Sequence, residues 1–170
     1  ARVDYSTTDG SAIAGIDYTA TSGTLIFPNG VTSQTFSVPI LNDALDETTE
    51  VIGLHLTNAA GTGTIGVPGD SQLLIIDDDP QPSLRINDVS VIEGDSGTVN
   101  AEFNVTLSAA SSFNVMANYV TADGSANAGA DYQPAIGQVL FSPGDLTKTI
   151  TVTVNGDTTP EPNETFFVNL

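Results

Sequence analysis

The sequence contains no cysteine and no tryptophan, and its only histidine is His55. Without cysteine there is no disulfide framework and no thiolate metal site. A single histidine argues against zinc, whose protein sites draw mainly on cysteine and histidine. Basic residues are nearly as scarce: Arg2, Arg85 and Lys148 stand against 21 acids, for a formal net charge of −18. Such a chain repels a phosphate backbone, which excludes nucleic acid as a partner and argues against an anionic membrane surface. No apolar run approaches the ~18 residues that a bilayer span needs, so direct membrane insertion is not expected. There is no Ser-His-Asp set, no cysteine nucleophile and no glycine-rich phosphate loop. Glu47 and Glu50 could in principle pair for glycoside hydrolysis, but aromatics to line a sugar cleft are scarce. No enzymatic activity is expected.

What the chain does have is carboxylates, 39% hydrophobic residues and a long internal repeat. Val3 to Leu56 recurs as Ala117 to Leu170, shifted by 114 residues without a gap, and 19 of 54 aligned positions are identical when counted along the sequence. Tyr5, Thr7, Asp9-Gly10-Ser11-Ala12, Ala14, Gly15, Asp17 and Tyr18 return as Tyr119, Thr121, Asp123-Gly124-Ser125-Ala126, Ala128, Gly129, Asp131 and Tyr132. Phe27, Gly30, Asp43, Glu47 and Glu50 return as Phe141, Gly144, Asp157, Glu161 and Glu164. A period of this length is a whole small domain rather than a solenoid unit. The chain is expected to hold tandem domains cut out of phase. Residues 1–79 form a partial repeat without its opening strands, and 80–170 form a partial repeat without its closing strand.

Apolar and polar residues alternate in Val99-Ala101-Phe103-Val105-Leu107, Ile150-Val152-Val154 and Phe36-Val38-Ile40. A period of two predicts half-buried strands. Turn formers separate them, as at Pro28-Asn29-Gly30, Ser142-Pro143-Gly144 and Asn155-Gly156-Asp157. The pattern predicts strands near 2–8, 24–27, 33–40, 50–57 and 71–77, and again near 84–92, 98–107, 113–121, 138–142, 147–154 and 164–170. Short strands at this spacing predict antiparallel β-sandwiches. The joint Asp78-Asp79-Pro80-Gln81-Pro82 is short and carries two prolines, so a stiff linker is expected.

Most acids fall in turns rather than strands. Asp17 and Asp131 precede tyrosines. Asp-x-x-x-Glu-x-x-Glu occurs as Asp43, Glu47, Glu50 and as Asp157, Glu161, Glu164, and Asp77-Asp78-Asp79 follows the run Leu73 to Ile76. Adjacent carboxylates repel one another unless something neutralises them. Carboxylate-rich loops without histidine or cysteine match Ca²⁺, which takes six to eight oxygen ligands. Asp9-Gly10 and Asp123-Gly124 are read as turn formers, because glycine adopts positive φ freely. His55 is read as a surface position.

At these residues the chain resembles the Calx-beta family. The resemblance rests on Tyr-x-Thr-x-Asp-Gly-Ser-Ala-x-Ala-Gly-x-Asp-Tyr, on Gly-x-[LV]-x-Phe-x-x-Gly, on the acidic groups and on Val91-Ile92-Glu93-Gly94. It implies immunoglobulin-like sandwiches with Ca²⁺ held by loops at one end. The implied ligands are Glu93, Asp131, Asp157, Glu161 and Glu164 in the second repeat. In the first they are Asp17, Asp43, Glu47, Glu50, Asp77, Asp78 and Asp79. Those twelve exceed half of the 21 acids. Calcium-rich members carry an acid where this chain has Asn42 and Gly156, which implies fewer ions here. The expected role is a calcium-binding structural or adhesive repeat of an extracellular or cell-surface rod or fibre. Its expected partners are neighbouring copies or repeats, with possible strand sharing. The alternative is a calcium-sensing regulatory domain of a larger membrane protein.

Overall fold

The computed structural model describes every residue from Ala1 to Leu170. It is all-β and forms tandem immunoglobulin-like units. Ala1–Ala44 and Thr48–Asp78 make one compact unit, and Leu45–Glu47 with Asp79–Leu170 make the other.

In the first unit, β1 (Arg2–Asp9), β2 (Ser22–Ile26), β4 (Glu50–Ala60) and β5 (Asp70–Ile75) form one antiparallel sheet in the order β2-β1-β4-β5. Tyr18 and Ile52 are enclosed with Ala12, and Val38, Leu54, Leu73 and Ile75 pack against them. The segment expected as a strand at 33–40 makes no ladder; only the bridge between Tyr18 and Ile40 remains. Its alternation persists nonetheless. Phe36 and Val38 are half-buried, and Phe36 stacks on Tyr5 with ring centroids 4.2 Å apart. The physical reason is the partner. In the second unit the same segment is β11 (Thr147–Asn155), which pairs along its length with β7 (Thr98–Leu107). In the first unit no strand pairs with residues 33–40, so the alternating segment makes no ladder.

The second unit is a sandwich of two antiparallel sheets. One has the order β11-β7-β6, with β6 at Leu84–Ile86. The other is β10-β9-β12, with β9 at Val115–Asp123, β10 at Ile136–Phe141 and β12 at Phe166–Asn169. β6 is shorter than the expected strand at 84–92. A two-residue parallel pair, β3 (Leu45–Asp46) with β8 (Ala110–Ser111), completes the unit. Inward residues follow the period of two: Ala101, Val105 and Leu107 from β7; Ile150, Val152 and Val154 from β11; Val139 and Phe141 from β10. Fully burying such a side chain contributes about 1.5–3 kcal/mol. Tyr132 caps this core, stacked on Phe166 at 4.4 Å, while Phe166 meets Phe103 edge-on at 6.0 Å.

Candidate metal centre

β9 ends at Asp123, and the chain then makes a small loop closed by a bridge between Ala128 and Tyr132. Gly129 sits at φ 91°, where a side chain would be strained. Its N–H reaches the Tyr132 carbonyl at 2.7 Å. The loop tethers Asp131 twice: Asp131 Oδ2 accepts the Asn127 N–H at 2.6 Å, and its own N–H donates to the Asn127 carbonyl at 3.0 Å. The end of β11 holds the loop from the other side. The Asn155 N–H donates to the Asp131 carbonyl at 2.9 Å, and the Asn155 side-chain amide donates to the Ala130 carbonyl at 2.8 Å.

Beyond Asn155 the chain turns at Asp157, whose Oδ1 accepts the Thr159 N–H at 2.6 Å. This is the local turn that aspartate favours. It leads through Glu161 and Glu164 into β12. Carboxylate oxygens of Asp131, Glu161 and Glu164 come within 4.8 Å of one another. Desolvation, and then the charges of Asp157, Asp131 and Glu93, hold Glu161 above the usual carboxylate range. Glu164 is raised by desolvation, then by the charges of Asp131 and Glu161, a hydrogen bond shared with Asp131 and the charge of Glu93. Glu93 and Asp157 therefore belong to the same electrostatic neighbourhood. The donors are all oxygen and mostly anionic, which fits a hard cation with a flexible, oxygen-rich shell, namely Ca²⁺.

In the first repeat Asp17 is only 8% exposed. Its Oδ2 accepts the Ile13 N–H at 2.7 Å, and its carbonyl accepts the Leu41 N–H at 2.9 Å. Carboxylate oxygens of Asp17 and Glu50 lie within 4.8 Å of each other. Glu47 is half-buried in the stretch that clusters with the second unit. Asp43 is exposed. The Asp77-Asp78-Asp79 run continues the alternation of β5, with Asp77 and Asp79 half-buried and Asp78 exposed, so the three do not share one face.

Gly156 has a role that sequence reasoning missed. It reads as a position lacking an acid. A Cβ there would lie 2.6 Å from the Glu93 carbonyl oxygen and 2.7 Å from that of Gly94. Gly156 also donates its N–H to the Gly97 carbonyl at 3.0 Å. The missing side chain lets the Glu93 loop close onto the turn that carries Asp157. A contact across more than 60 residues leaves no local signal in the sequence.

The model of the Calx-beta domain family matches residues 1–79 and 83–170. Sodium/calcium exchanger 1 of Rattus norvegicus is 30% identical over 187 residues, covering 99% of this chain and 19% of the exchanger. The sodium/calcium exchanger Calx of Drosophila melanogaster is 29% identical over 170 residues, covering 100% of this chain and 18% of the exchanger. The chain thus spans about a fifth of the length of these curated relatives. Among solved structures, the calcium binding domain CBD12 of CALX1.1 is 29% identical, with a TM-score of 0.46, over 88% of this chain and 60% of that one. The exchanger relatives correct the expected structural or adhesive role. Both of these relatives, aligned along the whole chain, are exchangers rather than rod or fibre proteins, and they lend no support to a fibre-like assembly. Tandem repetition misled here because stalks and paired sensor domains share it.

Proposed function

Because this chain belongs to the Calx-beta family, we propose that it is a calcium-binding regulatory segment of a larger membrane protein, two domains in tandem that sense Ca²⁺. The observation that carries this reading is the convergence of Asp131, Glu161 and Glu164, with Glu93 and Asp157 close enough to raise the glutamates. Asp17 and Glu50 make the corresponding approach in the first repeat. Without a cation these carboxylates repel. A bound Ca²⁺ draws the Asp131 loop and the Glu161–Glu164 segment together, and that change at the start of β12 is the signal. The sodium/calcium exchangers among the relatives give such a segment a setting in which calcium level matters.

Calorimetric titration of the whole chain tests the reading. On the scale set by EF-hand loops, sensors bind Ca²⁺ with dissociation constants of about 10⁻⁷–10⁻⁵ M and extracellular modules at about 10⁻⁴–10⁻³ M, a difference set by ligand charge and site rigidity. The sensor range is expected, with the second-repeat binding lost in Asp131→Asn/Glu164→Gln. Absence of binding would overturn the reading altogether, and binding only in the weaker range would overturn the sensing role.

A further inference from the structure

The most strongly repeated run of the chain, Asp-Gly-Ser-Ala, lies outside the carboxylate cluster, and its glycines, Gly10 and Gly124, do not take the positive φ of a glycine turn. We propose that Asp123–Ala126, and its copy Asp9–Ala12, is a positioning clamp for the cation site. It holds the two residues that are the chain neighbours of the converging carboxylates. This rests on the calcium-binding reading above.

The geometry is the same in both repeats. Asp123 Oδ1 accepts the Tyr132 hydroxyl at 2.6 Å and the Ala128 N–H at 2.9 Å. Asp9 Oδ1 accepts the Tyr18 hydroxyl at 2.7 Å and the Ala14 N–H at 3.0 Å. Tyr132 directly follows Asp131, and Tyr18 directly follows Asp17. At the other end of the run, Ser125 Oγ accepts the Thr165 N–H at 2.9 Å, and the Ala126 N–H donates to the Thr165 carbonyl at 3.0 Å. In the first repeat Ser11 Oγ accepts the Val51 N–H at 2.9 Å, and the Ala12 N–H donates to the Val51 carbonyl at 3.2 Å. Thr165 directly follows Glu164, and Val51 directly follows Glu50. The run thus holds the chain neighbours of both partners of the Asp–Glu approach, reaching 40 residues along the chain on the serine side.

Every member of the run is accounted for. A Cβ at Gly124 would collide with the Thr165 carbonyl oxygen, and one at Gly10 with that of Val51. Ala126 and Ala12 are 4% and 0% exposed, leaving no space for a larger side chain. Sequence identity also tracks the kind of contact. The residue held through its side chain is tyrosine in both repeats, whereas the residue held only through its backbone is free to differ and is threonine in one and valine in the other. A local turn predicts neither pattern. Losing a group that hydrogen-bonds a metal ligand directly typically weakens metal affinity by about 10–100-fold. The clamp holds the residues next to the ligands, so the lower end of that range applies.

The test uses the full chain carrying Asp17→Asn and Glu50→Gln, so that calcium titration reads the second repeat. Three variants are compared in that background: Asp123→Ala, Asp123→Asn and Ser125→Ala. The two Asp123 variants lose the same charge, but asparagine keeps an acceptor oxygen. The clamp predicts that Asp123→Ala and Ser125→Ala weaken Ca²⁺ binding by about 10-fold. Asp123→Asn should bind closer to the parent than Asp123→Ala does. These affinities are read well below the calcium-free melting temperature, so a loss of stability alone leaves them unchanged. Equal binding by Asp123→Asn and Asp123→Ala, with Ser125→Ala unaffected, would reduce the effect to charge and overturn the clamp. A background chain that binds no calcium would overturn the calcium reading and the clamp with it. If Asp123→Ala fails to fold, Ser125→Ala and Tyr132→Phe decide the matter, and parent-like affinity in both overturns the clamp.

Discussion

Replacing Tyr132 by phenylalanine removes one hydroxyl and leaves the ring, which is 1% exposed and stacked on Phe166. The hydroxyl donates to the Asp123 carboxylate at 2.6 Å. A hydrogen bond to a charged group contributes about 1.5–3 kcal/mol net. Asp123 is exposed and keeps its bond from the Ala128 N–H, so water can replace part of what is lost, and the lower end applies. A cost of about 1.5 kcal/mol lowers the melting temperature of a domain this size by about 6–12 °C, at about 4–8 °C per kcal/mol. The chain supplies its own replicate, because Tyr18 makes the same bond to Asp9 at 2.7 Å. Scanning calorimetry of Tyr132→Phe and Tyr18→Phe should show comparable losses, each in the transition of its own repeat. Combining Tyr132→Phe with Asp123→Ala should cost less than the two single changes summed. A melting shift under about 2 °C, or strict additivity, would refute the bond as a source of stability.

The raised carboxyls of Glu161 and Glu164 set the sign of a pH effect in the calcium-free chain. A carboxyl raised in the folded state binds more protons there than when unfolded, so stability falls as pH rises. Acidifying from neutrality toward the ordinary 4.5 should therefore raise the melting temperature, and Glu164→Gln should flatten that rise. The lowered carboxyls oppose this only at lower pH. Asp145 is held down by Lys148 and then by the Ser142 N–H, and its contribution is present above 3.8 and lost as pH falls through its lowered value. Phe141→Ala opens a cavity at a fully enclosed position and should cost about 3–5 kcal/mol by denaturant unfolding. Phe27→Ala, at the matching half-buried position, should cost less. Gly156→Asp adds an acid beside Asp157, yet it should weaken calcium binding, because its Cβ would displace the Glu93 loop. Tighter binding by that variant would contradict the close approach.

Much of the fold was legible because alternation and register are local. β7 spans the expected residues 98–107, and β11 ends within one residue of its expected span. The segment 33–40 alternates without forming a ladder. Its alternation is real, but a ladder also needs a neighbouring strand, which period-two patterning does not report. At the site, recurrence singled out Asp131, Glu161 and Glu164, which the fold gathers. The Asp77-Asp78-Asp79 run looked like one cluster on paper, and alternation divides it between two faces. Asp9-Gly10 and Asp123-Gly124 read as turn formers, yet Gly10 and Gly124 take no positive φ and are instead needed where a carbonyl approaches closely. The serine and alanine that follow hold a residue about 40 positions along the chain, Val51 in β4 and Thr165 just before β12, and no spacing rule reveals that.

Thermal unfolding of the full chain at low ionic strength tests most directly whether the gathered carboxylates hold calcium. Melting is followed in chelator, in Ca²⁺ and in Mg²⁺ at matched ionic strength. At free Ca²⁺ about 100-fold above the dissociation constant, each occupied site should add about 2.7 kcal/mol. Mg²⁺ should add far less, since it demands octahedral geometry and keeps its waters. A large upward shift specific to Ca²⁺ is the predicted result. Curves that coincide in chelator and Ca²⁺, or that respond equally to Mg²⁺, would contradict it.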